Sequence, residues 1–223
     1  NRLFSEAIMA KYTHTLSCSD CTLLCCKSND YEKYPPFCPT RQIEEKRLGS
    51  ALEEYEKPLV RRLTLTSAIL EADGYCRLTR VEETVEFVKR MGFRKVGVAS
   101  CVGLMREAAI FCKILQQERI VYCTVGCKIG AVDKTFVGVP EDKKLNRGCG
   151  HESMCNPVMQ AKELEARETD FNIVIGLCVG HDSLFLKYSA APTTVMIVKD
   201  RVMAHNPVAA LYSFGGMYSR FKK

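Results

Sequence analysis

The residues best able to do chemistry in this chain are its cysteines, thirteen of them in 223 residues. Cys18, Cys21, Cys26 and Cys38 follow one another as Cys-x2-Cys-x4-Cys-x11-Cys, with Cys25 left over and Pro39 directly after the last. A close pair brings two sulfurs to one metal, and the later two close the shell. Four thiolates in this spacing suit a tetrahedral zinc ion and a [4Fe–4S] cluster equally. The segment from 18 to 40 is too poor in apolar residues to fold by burial, so a bound ion is expected to hold this metal knuckle together.

A second set is dispersed. Cys101, Cys127 and Cys178 each follow an apolar run (KVGVAS, IVYCTVG and FNIVIGL), and Cys155 stands just before an Asn-Pro step. Ligands of open parallel sheets collect beyond the carboxyl ends of the strands. Cys101, Cys127, Cys155 and Cys178 are therefore expected to meet in one crevice and to hold an iron–sulfur cluster there. His181 and Asp182 come shortly after Cys178, and His205 follows the fourth strand-like run. These three are the expected acid–base or metal-ligating groups, a carboxylate being able to orient an imidazole. Ser183 lacks the strained elbow of a nucleophilic serine. Cys76, Cys112 and Cys123 read as packing residues. Cys149 lies in a Gly-rich loop, and His14 and His151 have less defined surroundings.

The elements that must position these side chains can be read from periodicity. Residues 41–75 are helical, with Pro58 restarting the pattern. Thr79-x-x-Glu82 is a capping box ahead of a helix that runs to Met91 and stops near Gly92. Strands follow at 95–99, 120–125, 171–177 and 193–198. Helices are expected at 103–117, at 156–167 and after Pro207, with a polar loop from Asp133 to Glu152. Asn156-Pro157 and Asn206-Pro207 both open helices, Asn as N-cap and Pro at the first helical position. Near-continuous apolar strands alternating with helices predict a mostly parallel sheet covered on both faces. The expectation is an α/β three-layer sandwich over 46–223, preceded by a Cys-rich segment at 1–45.

Composition narrows the function classes. Hydrophobic residues make up 47%, and 32 basic against 26 acidic residues give a net charge of +6 without a basic block. Neither a nucleic-acid nor a membrane partner is expected from that balance. No run approaches the roughly 18 apolar residues that span a bilayer, and residues 1–17 lack an export pattern. An odd number of cysteines among strong helix and strand patterns speaks for reduced thiols, hence a cytoplasmic setting. No phosphate loop or Gly-x-Gly-x2-Gly turn is present.

Four stretches, VGVASCVGLMREA (96–108), MCNPVMQAKEL (154–164), NIVIGLCVGHDSLFLKYSAAPTT (172–194) and VKDRVMAHNPVAALY (198–212), together with the Cys-x2-Cys-x4-Cys…Cys-Pro head, resemble the family called domain of unknown function 1847. The resemblance covers nearly the whole chain. It implies metal binding, at Cys18, Cys21, Cys26 and Cys38 and again at Cys101, Cys127, Cys155 and Cys178 beside His181, Asp182 and His205. It leaves Cys25 and Cys149 as extras and supplies no reaction. The sequence thus predicts an iron–sulfur protein with redox or sulfur-transfer chemistry, served by an electron donor or a small sulfur-containing substrate. The competing expectation is a zinc-binding structural, sensing or interaction module without turnover.

Overall fold

The computed structural model describes residues 17–146, 148, 150–214 and 216. The chain divides after residue 64 into two compact units. His14 and Cys149 lie outside the described residues.

The first unit is a run of short turns followed by helices. Three 3-10 turns, Cys18–Asp20, Cys25–Lys27 and Tyr31–Lys33, precede a single helical turn, α1 (Pro39–Gln42), and a helix, α2 (Glu45–Glu54). Pro39 opens α1, where its missing N–H costs no hydrogen bond. Burial among the turns is confined to Cys25 and Tyr34. The Cys25 thiol donates to the Lys33 carbonyl at 3.4 Å, and Arg41 donates to the Tyr34 carbonyl at 3.0 Å. Helix α3 (Pro58–Gly74) carries the chain past residue 64, with Pro58 at its start.

The second unit is a three-layer α/β fold. Helix α4 (Arg80–Met91) begins at the capping box, where Thr79 accepts the Glu82 N–H and Glu82 accepts the Thr79 N–H at 2.7 Å. Strands β1 (Lys95–Ser100), β2 (Val121–Gly126), β3 (Phe171–Ile175) and β4 (Thr193–Ile197) alternate with helices α5 (Met105–Gln117), α6 (Pro157–Ala166) and α7 (His181–Tyr188). A short helix, α8 (Pro207–Tyr212), follows β4. The sheet order is β2-β1-β3-β4, and all described pairings are parallel.

Period-two alternation along the strands divides the core between two faces. On one face Val96, Val98, Ile173 and Ile175 pack with Val85 and Val88 of α4 and with Ala108, Phe111 and Leu115 of α5. On the other, Ala99 and Val174 pack with Ala161 and Leu164 of α6 and Phe185 of α7. Gly97 lets α6 lie close: a Cβ there would sit 2.1 Å from Asn172 Oδ1 and 2.9 Å from a Leu164 methyl. Among the described residues no helix is long and apolar enough to cross a membrane.

Candidate functional site

Strands β1 and β2 each end by delivering a cysteine to the carboxyl edge of the sheet. The Cys101 N–H continues the ladder to the Ile175 carbonyl at 3.0 Å, and the Cys127 N–H continues it to Ser100 at 2.8 Å. Both thiols are buried. Cys155 arrives by another route. The Asn156 N–H donates to the Cys127 carbonyl at 2.8 Å, and the Asn156 side chain caps α6 by accepting the Met159 N–H at 3.1 Å. This sets the Cys155 thiol 3.8 Å from Cys127 Sγ.

Cys101 is also near enough to Cys127 for the two thiols to shift each other's protonation, so Cys127 has a cysteine on either side. The Val102 N–H donates to Cys127 Sγ at 3.4 Å. Behind them lies fully buried Gln160, whose amide donates to the Val125 carbonyl at 2.7 Å and to Ser100 at 3.2 Å. Its Oε1 has no hydrogen-bond partner.

Cys178 reaches the edge through a tight exit from β3. Gly176 has φ of +65°, and a Cβ there would lie 1.9 Å from a Leu104 methyl. Only glycine combines that conformation with that approach. The Cys178 carbonyl then accepts the N–H groups of His181 and Asp182 at 2.9 and 3.1 Å, starting α7. Arg201 donates to Cys178 Sγ at 3.0 Å, and its guanidinium also faces Cys101 and Cys155.

Contact with Cys127 pulls the Cys101 thiol well below the ordinary range, helped by the Gly103 N–H and by Lys199. The same contact lowers Cys155, with Lys128 and His181 adding their charge. Cys127 is pushed up, because it faces Cys101 and Cys155 together and is buried. The outer thiols therefore lose protons first and the central one last.

Of the polar residues expected here, His181 lies within electrostatic reach of Cys155, and its Nδ1 is buried without a hydrogen-bond partner. Asp182 Oδ1 accepts the Ser183 N–H at 2.7 Å in the first turn of α7. His205 is engaged in a turn: its Nδ1 accepts the Asp200 N–H at 3.1 Å and its own N–H donates to the Asp200 carbonyl at 2.8 Å. Asp200 Oδ1 accepts the N–H groups of Met203 and Val202, and these bonds hold its carboxyl below the usual range. This turn carries Arg201. The residues to which sequence reasoning gave no role are thus Arg201, Lys199 and Gln160.

In the first unit, the Cys21 N–H donates to the Cys18 carbonyl at 3.2 Å, folding the Cys-x2-Cys pair into one turn. The N–H groups of Arg41 and Thr40 draw the Cys38 thiol down. Tyr34 is raised by burial and by nearby Cys26, Cys38 and Cys25, and its hydroxyl donates to Asn29 Oδ1 at 3.3 Å. Cys18 and Cys26 are exposed, Cys21 and Cys38 half-buried, and Cys25 buried. Elsewhere, Cys112 is buried, Cys123 half-buried and Cys76 exposed. Among the described residues, no group of three or more His, Cys, Asp and Glu side chains forms a ready metal shell.

Residues 38–196 match the model of a family described as protein of unknown function, DUF1847. The match takes in Cys38, Cys101, Cys127, Cys155 and Cys178 and stops short of Lys199 and Arg201. An uncharacterized protein of Methanocaldococcus jannaschii, MJ0455, is 44% identical over 199 residues, which are 89% of this chain and 94% of that relative.

Proposed function

The chain belongs to the DUF1847 family of proteins of unknown function, and from its crevice we propose a metal-binding role in which Cys101, Cys127 and Cys155 hold a soft metal. The observation that carries this reading is the 3.8 Å approach of Cys127 and Cys155, with Cys101 beside them, at the carboxyl edge of the sheet, each brought there by a different segment. Thiolates select zinc, copper(I) or iron–sulfur centres over harder cations.

No three-residue shell is ready-made among the described residues, and the fit rests on one pair of sulfurs. A tetrahedral ion with metal–sulfur bonds of about 2.3 Å has sulfur–sulfur edges of about 3.8 Å. Cys127 and Cys155 stand at 3.8 Å. Cys178, within reach of the Arg201 that faces Cys101 and Cys155, supplies a fourth thiol. Several thiolates around one dication leave net negative charge, and Lys128, Lys199 and Arg201 offset it. When bound, a soft ion would bind and polarise a sulfur ligand. His181, beside Cys155, is the group we assign to moving a proton there.

A [4Fe–4S] cluster is the second reading. Donors aimed at the sulfurs, here the Val102 N–H on Cys127 and Arg201 on Cys178, are what tunes such clusters. Its ligand sulfurs lie wider apart, roughly 6–7 Å, so the trio would have to part to receive it. Redox or sulfur-transfer chemistry with an electron donor or small sulfur compound belongs to this reading. We assign a second thiolate site, suited to zinc, to Cys18, Cys21, Cys26 and Cys38, on the strength of the Cys18–Cys21 turn and the lowered Cys38 thiol.

The test is anaerobic purification with elemental analysis and an absorption spectrum, comparing wild type with Cys127→Ser. Loss of one metal centre in the variant is expected. Zinc leaves the protein colourless, whereas a band near about 400 nm identifies iron–sulfur. Equal metal in both proteins, or none in either, overturns the crevice reading.

A further inference from the structure

Cys127 and Cys155 are placed for chemistry with each other. Their sulfurs are 3.8 Å apart. The hydrogen bond from the Asn156 N–H to the Cys127 carbonyl holds the residue after Cys155 against Cys127. The two thiols differ in access: Cys155 is half-buried, while Cys127 is 2% exposed and lies behind it. Cys101, the other neighbour of Cys127, is buried and bonded through its own N–H to β3. An outer thiol backed by an inner one is the arrangement of a dithiol that accepts a disulfide from solution and then resolves it.

We propose that the metal-free crevice exchanges disulfides with low-molecular-weight disulfides, Cys155 being the attacking thiol and Cys127 the resolving one. The Cys155 thiolate, its proton passed to solvent, attacks one sulfur of R–S–S–R. The new bond forms as the old S–S bond breaks, and RS⁻ leaves and takes up a proton. Cys127 then gives up its proton and attacks Cys155 Sγ, forming the Cys127–Cys155 disulfide and releasing the second RS⁻. One external disulfide is reduced to two thiols, and the protein pair is oxidised by two electrons. The chemistry stands independently of the metal reading. Its consequence rests on that reading: the disulfide withdraws two thiolates from the proposed centre, so oxidation gates metal loading.

The experiment uses the full chain, stripped of metal with a chelator and incubated anaerobically with glutathione disulfide. Free thiols are trapped in acid and the protein is mapped without reduction. A linked Cys127–Cys155 peptide is expected, together with lost zinc uptake that dithiothreitol restores. Cys127→Ser should accumulate a glutathione adduct on Cys155, and Cys155→Ser should leave Cys127 unmodified. Intact Cys127 and Cys155 thiols in the treated wild type, or a Cys101–Cys127 linkage in their place, overturns the proposal. Zinc uptake by reduced protein without any linkage after oxidation removes the exchange and keeps the metal reading. Linkage in a protein whose reduced form takes up no metal does the reverse.

Discussion

The N–H of Asn156 donates to the carbonyl of Cys127 at 2.8 Å, so the residue that caps α6 is also the one that fastens its first turn to the end of β2. Helix start and thiol placement therefore depend on one residue. Asn156→Ala keeps the main-chain bond and removes the side-chain cap on Met159. A loss of about 1 kcal/mol is expected, read as a shift in the denaturation midpoint. Faster amide exchange over residues 155–159 should accompany it, and Asn156→Asp should recover most of the loss.

Gln160 closes the rear of the crevice by donating to the carbonyls of Ser100 and Val125, the latter at 2.7 Å. Gln160→Leu leaves two buried carbonyls without that donor. The Ser100 carbonyl keeps the Cys127 N–H, so the expected cost is about 1 kcal/mol, that of lost hydrogen bonds rather than of a stranded acceptor. Chemical denaturation of the metal-free protein measures it, and an unchanged midpoint would contradict the role.

The loop between β2 and α6 is folded around an ionic core. Lys144, only 4% exposed, donates to Asp133 Oδ2 at 3.2 Å, to Glu141 at 2.8 Å and to the Gly150 carbonyl at 2.7 Å. Asp133 accepts the Thr135 N–H, the Thr135 hydroxyl and the Glu152 N–H besides. These donors, with Lys144, hold its carboxyl well below the usual carboxylate range. A carboxyl lowered on folding stabilises the loop above its unfolded pKa, and the contribution fades as pH falls through the folded value. Amide protection over 133–153 should hold from neutral pH into mild acid and fail only in strong acid. Asp133→Asn should lower the protection at neutral pH and flatten this pH dependence.

Cys25 and Cys26 are neighbours with opposite surroundings, the first buried against the Lys33 carbonyl and the second exposed. Cys26→Ala is expected to remove metal from the first unit and Cys25→Ala to loosen its turns with metal retained. Elemental analysis and limited proteolysis separate the two outcomes. Metal loss on replacing Cys25 alone would exchange their roles.

The strands were legible because central parallel strands are apolar on both faces, and KVGVA and FNIVI read as such. The α4 capping box was equally plain, being a local pattern of Thr79 and Glu82. Strand order was not legible, since an apolar run does not say which neighbour it pairs with. The place of Arg201 depends on that order: it meets Cys178 only because β4 lies beside β3. Lys144 reads as a solvated charge in a polar stretch, and its burial follows from acceptors gathered from Asp133 to Gly150. The junction of Cys127 with Cys155 was half legible. Asn156-Pro157 announced the helix start, but the bond to the Cys127 carbonyl is a tertiary contact without a sequence signature.

The sulfurs gathered in the crevice are supplied by residues 101, 127 and 155, and the central strand β1 is flanked by β2 on one side and β3 on the other. Parallel pairing of this kind is non-local and forms late relative to helices. A chain emerging from the ribosome has β1 and β2 available long before β3, yet β1 lacks its second neighbour until Phe171–Ile175 have been made. Until then Cys101 has no Ile175 carbonyl to anchor it, and Cys178 does not exist. The thiols thus spend much of synthesis apart and accessible, and the crevice closes only as the last third of the chain is translated. Any ligand that needs Cys178 as well as the other three thiols therefore meets a chain already made through β3.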